Sequence, residues 1–281
     1  MSTNKSILPL IPGFDLLKRL GKGGMGSVFL AKRSTDGKRV AIKVMNSSFE
    51  GSMKALRRRF IREIDICKNF AHPNVVTLLD GSPGGDDHPP YFAMEYFAGS
   101  DLKELVRADR CSFDKLEDII IQICDGLTYI HERGYLHRDI KPANIIINSD
   151  GRAILVDFGL AYDAELTRLT ATHDAVGTFA FLAPEQVHGD TIGTYTDVYQ
   201  LGATLYWVTT KSHPYTYEDV VARATERSKP IAKDPRELNP EVPPKLARII
   251  LKAISPEKED RYQSAEELAA ELRPNVGVET V

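Results

Sequence analysis

The stretch His137-Arg138-Asp139-Ile140-Lys141-Pro142-Ala143-Asn144 places a histidine, three charged side chains and an asparagine within eight residues. Thirteen residues after Asn144 stands a second short string, Asp157-Phe158-Gly159. Upstream lie Gly21-Lys22-Gly23-Gly24-Met25-Gly26-Ser27-Val28 and Val40-Ala41-Ile42-Lys43. Downstream lie Ala183-Pro184-Glu185, Asp197-Val198-Tyr199-Gln200-Leu201-Gly202 and a late Arg261. Each string alone recurs by chance. Six of them in one order are far harder to obtain that way.

The surrounding composition sets bounds. The chain has 281 residues, 42% apolar and 27% charged, enough for one medium-sized unit or two packed lobes. Net charge is −3 and the pI is near 6.2, so no global basic field holds nucleic acid or an anionic membrane. Cys67, Cys111 and Cys124 lack metal-ligand spacing and read as reduced thiols. No apolar run approaches the roughly 20 residues of a membrane span. Residues 1–12 lack the charged start and apolar centre of a signal peptide. The expectation is a soluble, cytoplasmic chain, with a continuation into an anchored protein left open.

Patterning changes along the chain. Phe14–Leu20, Ser27–Lys32 and Val40–Met45 read as strands, with a turn at Thr35-Asp36-Gly37. Helical period follows over Met53–Phe70, where Leu56, Phe60, Ile64, Cys67 and Phe70 share a face. Val75–Leu79 and Tyr91–Phe97 read as two more strands, with a loop at Gly81–Pro90. After Gly99 the pattern is mostly helical, with candidates at Phe113–Arg133, Thr196–Thr210, Tyr217–Arg227, Pro243–Ala253 and Ser264–Leu272. The expected organisation is an extension at 1–13, a small β-rich lobe at 14–97, a larger helical lobe at 98–273 and a tail at 274–281. A crevice between lobes is a common ligand position.

Glycines let a backbone fold closely over phosphates and present N–H groups to them. A dinucleotide-binding fold uses a similar string but needs a helix directly after it, whereas Val28-Phe29-Leu30 reads as strand. Lys43 sits in an apolar strand and could simply face water. Glu63, however, lies on the apolar face of its helix, where a carboxylate needs a partner. Lys43 is the natural candidate.

With these strings in place, the chain resembles the eukaryotic-type protein kinases over about residues 14–273, and most of all their bacterial serine/threonine branch. Gly24-Met25-Gly26, Pro184-Glu185-Gln186 and Asp260-Arg261-Tyr262-Gln263-Ser264 carry the likeness to that branch. The resemblance implies an α+β, two-lobed fold with one main helix in the small lobe. It implies transfer of the γ-phosphate of ATP to serine or threonine hydroxyls of protein substrates, with Mg²⁺ or Mn²⁺. Asp139 would orient the acceptor hydroxyl or take its proton. Asp157 and Asn144 would hold the metal. Lys43, fixed by Glu63, would neutralise the α- and β-phosphates, and Lys141 the γ-phosphate in flight. Gly21, Lys22, Gly23, Gly24, Met25 and Gly26 would cover the phosphates. Val28 and Ala41 would lie on one side of the adenine and Ile146 on the other. Glu95, Tyr96 and Phe97 would offer backbone groups to the base, with Met94 behind it. Arg261 would pair with Glu185. Lys141 and Thr178 imply a small hydroxyl acceptor rather than tyrosine.

His137 invites a general-base role, but the resemblance implies a structural one, packed with Phe158, Leu78 and Cys67. Arg57, Arg58, Arg59 and Arg62 read as a solvated helix face, the alternative being that Arg59 meets a phosphorylated loop. Residues 160–182 form a 23-residue stretch of little hydrophobic period that holds Thr167, Thr170 and Thr172. Phosphorylation of Thr170 or Thr172 would give Arg138 a partner and switch the enzyme on. A weak homodimer through the small lobe is a further expectation of the resemblance. A catalytically dead scaffold usually lacks Lys43, Asp139, Asn144 or Asp157, and all four are present. A small-molecule kinase would lack the Ala183-Pro184-Glu185 segment.

Overall fold

Gly21, Lys22 and Gly23 end one strand of an antiparallel pair and Gly26 begins the next. In the computed structural model, β1 (Phe14–Gly23) pairs antiparallel with β2 (Gly26–Arg33), Gly23 opposite Gly26. The structure describes residues 8–23, 26–45, 64, 67–85, 87–157, 180–216, 219 and 231–273. The bulk of the expected helices at Met53–Phe70 and Tyr217–Arg227, with Gly24, Met25, Glu63 and the arginines at 57–59 and 62, lies outside these residues. So do Phe158, Gly159, Thr167, Thr170, Thr172 and Thr178.

Two compact units divide the chain: Met1–Ala71 with Val76–Ala98, and His72–Val75 with Gly99–Val281. The first holds a five-stranded antiparallel sheet of order β1-β2-β3-β5-β4, with β3 at Arg39–Met45, β4 at Leu78–Ser82 and β5 at Tyr91–Glu95. Register sorts its side chains. Phe29 lies opposite Ile42, and Ile42 opposite Ala93; these residues join Ile11, Phe14, Ala31, Val40, Val44 and Tyr91 in one apolar cluster. Side chains alternate along a strand, so Val28, Leu30, Ala41, Lys43, Phe92 and Met94 share the other face. Gly26 is required where it stands, because a Cβ there would run into the Val44 carbonyl.

Two strands differ from expectation. The expected strand at Val75–Leu79 forms at Leu78–Ser82 instead, since Val75 makes a parallel bridge to Leu155 in the second unit. The neighbouring Asn74 amide donates to Ala153 O at 2.7 Å and Gln122 Oε1 at 3.1 Å, and its carbonyl accepts from Leu155 N–H at 2.9 Å. A chain committed to those bonds cannot also complete a strand in the first sheet. The last strand stops at Glu95 rather than Phe97.

The second unit is built on helices. α1 (Leu102–Arg107) starts at Asp101, whose carboxylate accepts from Glu104 N–H at 2.7 Å. α2 (Phe113–His131) buries Leu116, Ile119, Ile120, Ile123, Leu127 and Ile130, one face of a 3.6-residue period. A small sheet of order β6-β7-β8 follows from Ser100–Asp101, Ile145–Ile147 and Ala153–Leu155. After α3 (Pro184–His188) comes α4 (Thr194–Thr210), buried almost all round. α5 (Pro235–Leu238), α6 (Pro244–Ala253) and α7 (Ala265–Leu272) complete the unit. Gly202 lets α4 approach α6 closely: a Cβ there would lie 2.6 Å from that of Ala253. Lys211 ends α4 at φ 60°, a position that favours glycine, and its ammonium donates to the Val106 carbonyl at 2.8 Å. Among the described residues no helix is long and apolar enough to cross a membrane.

Candidate active site

The loop between α2 and β7 is shaped by one buried carboxylate. Asp197, in the first turn of α4, is fully buried. It accepts from the backbone N–H of His137 and of Arg138, each at 2.8 Å, and contacts His131 Nε2 at 2.8 Å. Burial pushes its pKa up, but the His131 hydrogen bond, the fields of His131 and His137 and the Arg138 N–H outweigh that, so the pKa is lowered. Its stabilisation is therefore present above the ordinary carboxylate range and is lost as pH falls through the lowered value. The two N–H bonds hold Arg138 at φ 67°, a left-handed conformation costing about 1–2 kcal/mol for a residue with a Cβ.

Asp139 projects from this loop as a held carboxylate. Lys141 Nζ lies 2.9 and 2.8 Å from its two oxygens. The Asn144 amide donates to Asp139 Oδ2 at 2.9 Å and to its carbonyl at 2.8 Å. The carboxylate and the lysine are each about a quarter exposed, at 27% and 21%. Pro142 starts a 3₁₀ turn, Pro142–Asn144, that brings the asparagine back onto the aspartate. His137 is fully buried; its Nδ1 accepts from Asp139 N–H at 3.3 Å, which leaves Nε2–H to donate to Val156 O at 3.1 Å. Burial lowers its pKa. A neutral ring with both nitrogens engaged on backbone braces the loop; the expected partner Phe158 lies outside the described residues.

β7 and β8 bring in Asp157. Ile145 pairs with Leu155, and Val156 N–H donates to Asn144 O at 2.9 Å, so Asn144 and Asp157 stand at the same end of the hairpin. Asp157 is half-buried at φ 63°. Among the described residues no cluster of three or more His, Cys, Asp or Glu forms a self-sufficient metal cage. Two oxygens, from Asp157 and the Asn144 amide, nevertheless suit Mg²⁺ or Mn²⁺, hard ions that take one or two protein oxygens together with substrate phosphates. The Asn144 amide nitrogen is engaged with Asp139, which leaves its oxygen as the atom that could meet a cation. Ile146 lies between these ends on β7, half-buried and opposite Ile154.

A second buried constellation fixes the segment after residue 179. Glu185 accepts from Arg261 Nη1 at 2.8 Å and Nη2 at 3.1 Å, and from Thr196 Oγ1 at 2.8 Å. Arg261 also donates to the carbonyls of Ser255 and Pro256 and lies over the Tyr199 ring. Both charged groups are almost fully buried.

A protein-family profile, the protein kinase domain, matches residues 14–272. The chain belongs to the protein kinase family. Its curated relatives include the serine/threonine-protein kinase PrkC of Bacillus subtilis, 33% identical, aligned over 92% of this chain and 40% of that one. The serine/threonine-protein kinase PknB of Mycolicibacterium smegmatis is 33% identical over 92% and 42%. This kinase domain thus spans about two fifths of the length of those relatives. Among solved structures, the PknI kinase domain of Mycobacterium tuberculosis has a TM-score of 0.72 at 25% identity, covering 94% and 96% of the two chains. The structure titled PpkA-294 apo form reaches 0.77 at 25%, covering 94% and 97%. The two-lobed kinase fold expected from the sequence is the fold found.

Within this kinase domain the second unit assembles Asp139, Lys141 and Asn144 directly, with Asp157 at the hairpin end. In the first unit Val28, Ala41, Lys43 and Met94 share the sheet face opposite the main cluster. Gly21, Lys22, Gly23 and Gly26 form the hairpin end, and Glu95 and Phe97 stand at and beyond the close of β5. The proposed partner Glu63 lies outside the described residues. Two site residues have no role assigned from the sequence: Gln186 and Gln200, both on the backbone beside Asp139. Their available signal is spacing, since Asp197, Gln200 and Thr204 fall at i, i+3 and i+7 with Val198, Tyr199, Leu201, Gly202 and Ala203 between them.

Proposed function

We propose that the chain is an active protein kinase that transfers the γ-phosphate of ATP to serine or threonine hydroxyls. The observation that carries this reading is the Asp139 carboxylate, held by Lys141 and Asn144 on a loop whose N–H groups are bound by buried Asp197. Phosphoryl transfer asks for positioning and charge neutralisation rather than covalent help. Asp139 accepts the hydrogen bond of the acceptor hydroxyl and orients it in line. Lys141, within reach of that carboxylate, neutralises charge on the moving phosphoryl group. Asp157 and the Asn144 oxygen would hold Mg²⁺ or Mn²⁺, which when bound would supply positive charge to offset that of the phosphates. Lys43 takes the α- and β-phosphates, and the glycine hairpin tip offers its backbone N–H groups. Lys141 with Thr178 favours a small hydroxyl acceptor.

The test is transfer of labelled phosphate from ATP to a basic protein substrate, followed by phosphoamino-acid analysis. Label on serine and threonine, lost in excess chelator and restored by Mg²⁺ or Mn²⁺, is the expected result. No transfer with either metal, or label confined to tyrosine, refutes the reading.

The same reading extends to regulation by phosphorylation of Thr170 or Thr172 within the chain itself. Arg138 supports it: the side chain is half-buried, and its Nε is buried without a hydrogen-bond partner among the described residues. A phosphothreonine brings about −1.5 to −2 charges and three acceptor oxygens to such a group. Mass spectrometry of purified protein should find phosphate at one of these threonines. Thr170→Ala/Thr172→Ala should lower kcat about tenfold, the scale of one charge-assisted hydrogen bond. Equal rates for the double variant, phosphatase-treated and untreated enzyme would end the idea.

A further inference from the structure

Gln186 and Gln200 are buried amides, 2% and 1% exposed, whose hydrogen bonds converge on the loop of Asp139 and on one another. Gln200 Oε1 accepts from Ile140 N–H at 2.9 Å. Its Nε2 donates to Arg138 O at 2.9 Å and to Gln186 Oε1 at 2.9 Å. Gln186 Nε2 donates to the same Arg138 O at 3.2 Å, and its Oε1 accepts from Ala183 N–H at 2.9 Å. Asp139 therefore sits between two peptide groups that the glutamine pair grips from both sides. One member of the pair rides on α4, which also carries Asp197. The other rides on α3, the first helix after residues 158–179.

We propose that Gln186 and Gln200 are positioning residues that tie the catalytic aspartate to the segment following residue 179. This rests on the assignment of Asp139 as the catalytic group. An apolar residue at either place would strand a buried N–H or carbonyl, and the loop would relax to find water or another partner. A carboxylate at 200 keeps the acceptor for Ile140 N–H but loses the donor. It would face two acceptor oxygens, Arg138 O and Gln186 Oε1, and push the Arg138–Asp139 peptide away. Displacement of a reacting group by about 1 Å is enough to cost on the order of 100-fold in rate. The displacement acts on Asp139 and on Lys141 and Asn144 bound to it, whereas Lys43 and the glycine hairpin proposed for the phosphates of ATP belong to the other unit, so KM for ATP should change little.

The experiment compares steady-state kinetics of the full chain and Gln200→Glu, with Gln186→Glu as a second variant. At about pH 9, Gln200→Glu is expected to lose roughly 10- to 100-fold in kcat with KM for ATP unchanged within about twofold. Protonation of the new carboxyl restores a donor, so the deficit relative to wild type should narrow as pH falls towards about 6. Gln186→Glu, which still accepts from Ala183 N–H, should follow the same pattern more weakly. A deficit constant with pH, a change confined to KM, or wild-type kcat in both variants overturns the proposal. Thermal melting of both variants accompanies the kinetics. If neither folds, the pair holds the unit together rather than the aspartate, and the proposal also falls. An inactive wild-type chain would instead refute the kinase assignment itself, and that outcome is read before any variant is made.

Discussion

Asp139→Asn is expected to reduce kcat by about 10³-fold, within the range set by removing a positioned general base. The folded state should persist, because the asparagine keeps the side-chain shape and one acceptor oxygen for Asn144. On the proposed mechanism, what is lost is the negative charge between Lys141 and the acceptor hydroxyl. Lys141 then holds no partner carboxylate, and the hydroxyl has only a neutral oxygen to receive its proton. Rates at saturating ATP and metal, with circular dichroism as the fold control, decide the matter. Turnover within a few-fold of wild type would remove Asp139 from the centre of the reaction.

The largest expected effect on stability is at the Glu185–Arg261 pair. Arg261→Met should lower stability by about 3–5 kcal/mol, the usual consequence of leaving one member of a buried ion pair uncompensated. Among the described residues Glu185 would keep only the Thr196 hydroxyl. The carbonyls of Ser255 and Pro256 would lose their guanidinium donors. Replacing both partners by apolar residues, Glu185→Leu with Arg261→Met, should recover part of the loss, since no charge is then stranded. Urea denaturation followed by tryptophan fluorescence measures both, with Trp207 on α4 as the reporter. A midpoint for Arg261→Met equal to wild type would show that the pair carries no net weight.

Sequence strings point to the candidate site, and periodicity exposes the long elements. The spacing of Leu116, Ile119, Ile120, Ile123 and Leu127 marks α2, because a helix of that length repeats its face several times. α1 is six residues and α5 four, too short to repeat anything, and neither is legible in the sequence. The strand at Leu78–Ser82 is expected three residues early because what moves it is Leu155, far along the chain. Val75 is as apolar and β-branched as any strand residue, and only its tertiary partner tells which sheet it serves. The charged members of the site announce themselves by residue type. Gln186 and Gln200 do not, since an amide's work depends on the backbone groups it meets, and those come from a loop some 60 positions away, as Ile140 does for Gln200.

The excursion of residues 72–75 into the second unit also bears on the order in which the protein is made. Synthesis delivers Asn74 well before Gln122, Ala153 and Leu155, the groups it binds. Neither unit is therefore one uninterrupted piece of chain, and domain-by-domain folding behind the ribosome does not apply in its simple form. The first unit can finish β4 and β5 early, but it carries a short strap that waits for a helix and a hairpin still to be translated. A gene fragment beginning at Gly99 would encode the second unit without that strap. It would leave the Leu155 N–H and the Ala153 carbonyl without the partners that Asn74 provides, so a dissection of this protein at its lobe boundary has to keep residues 72–75 with the later half.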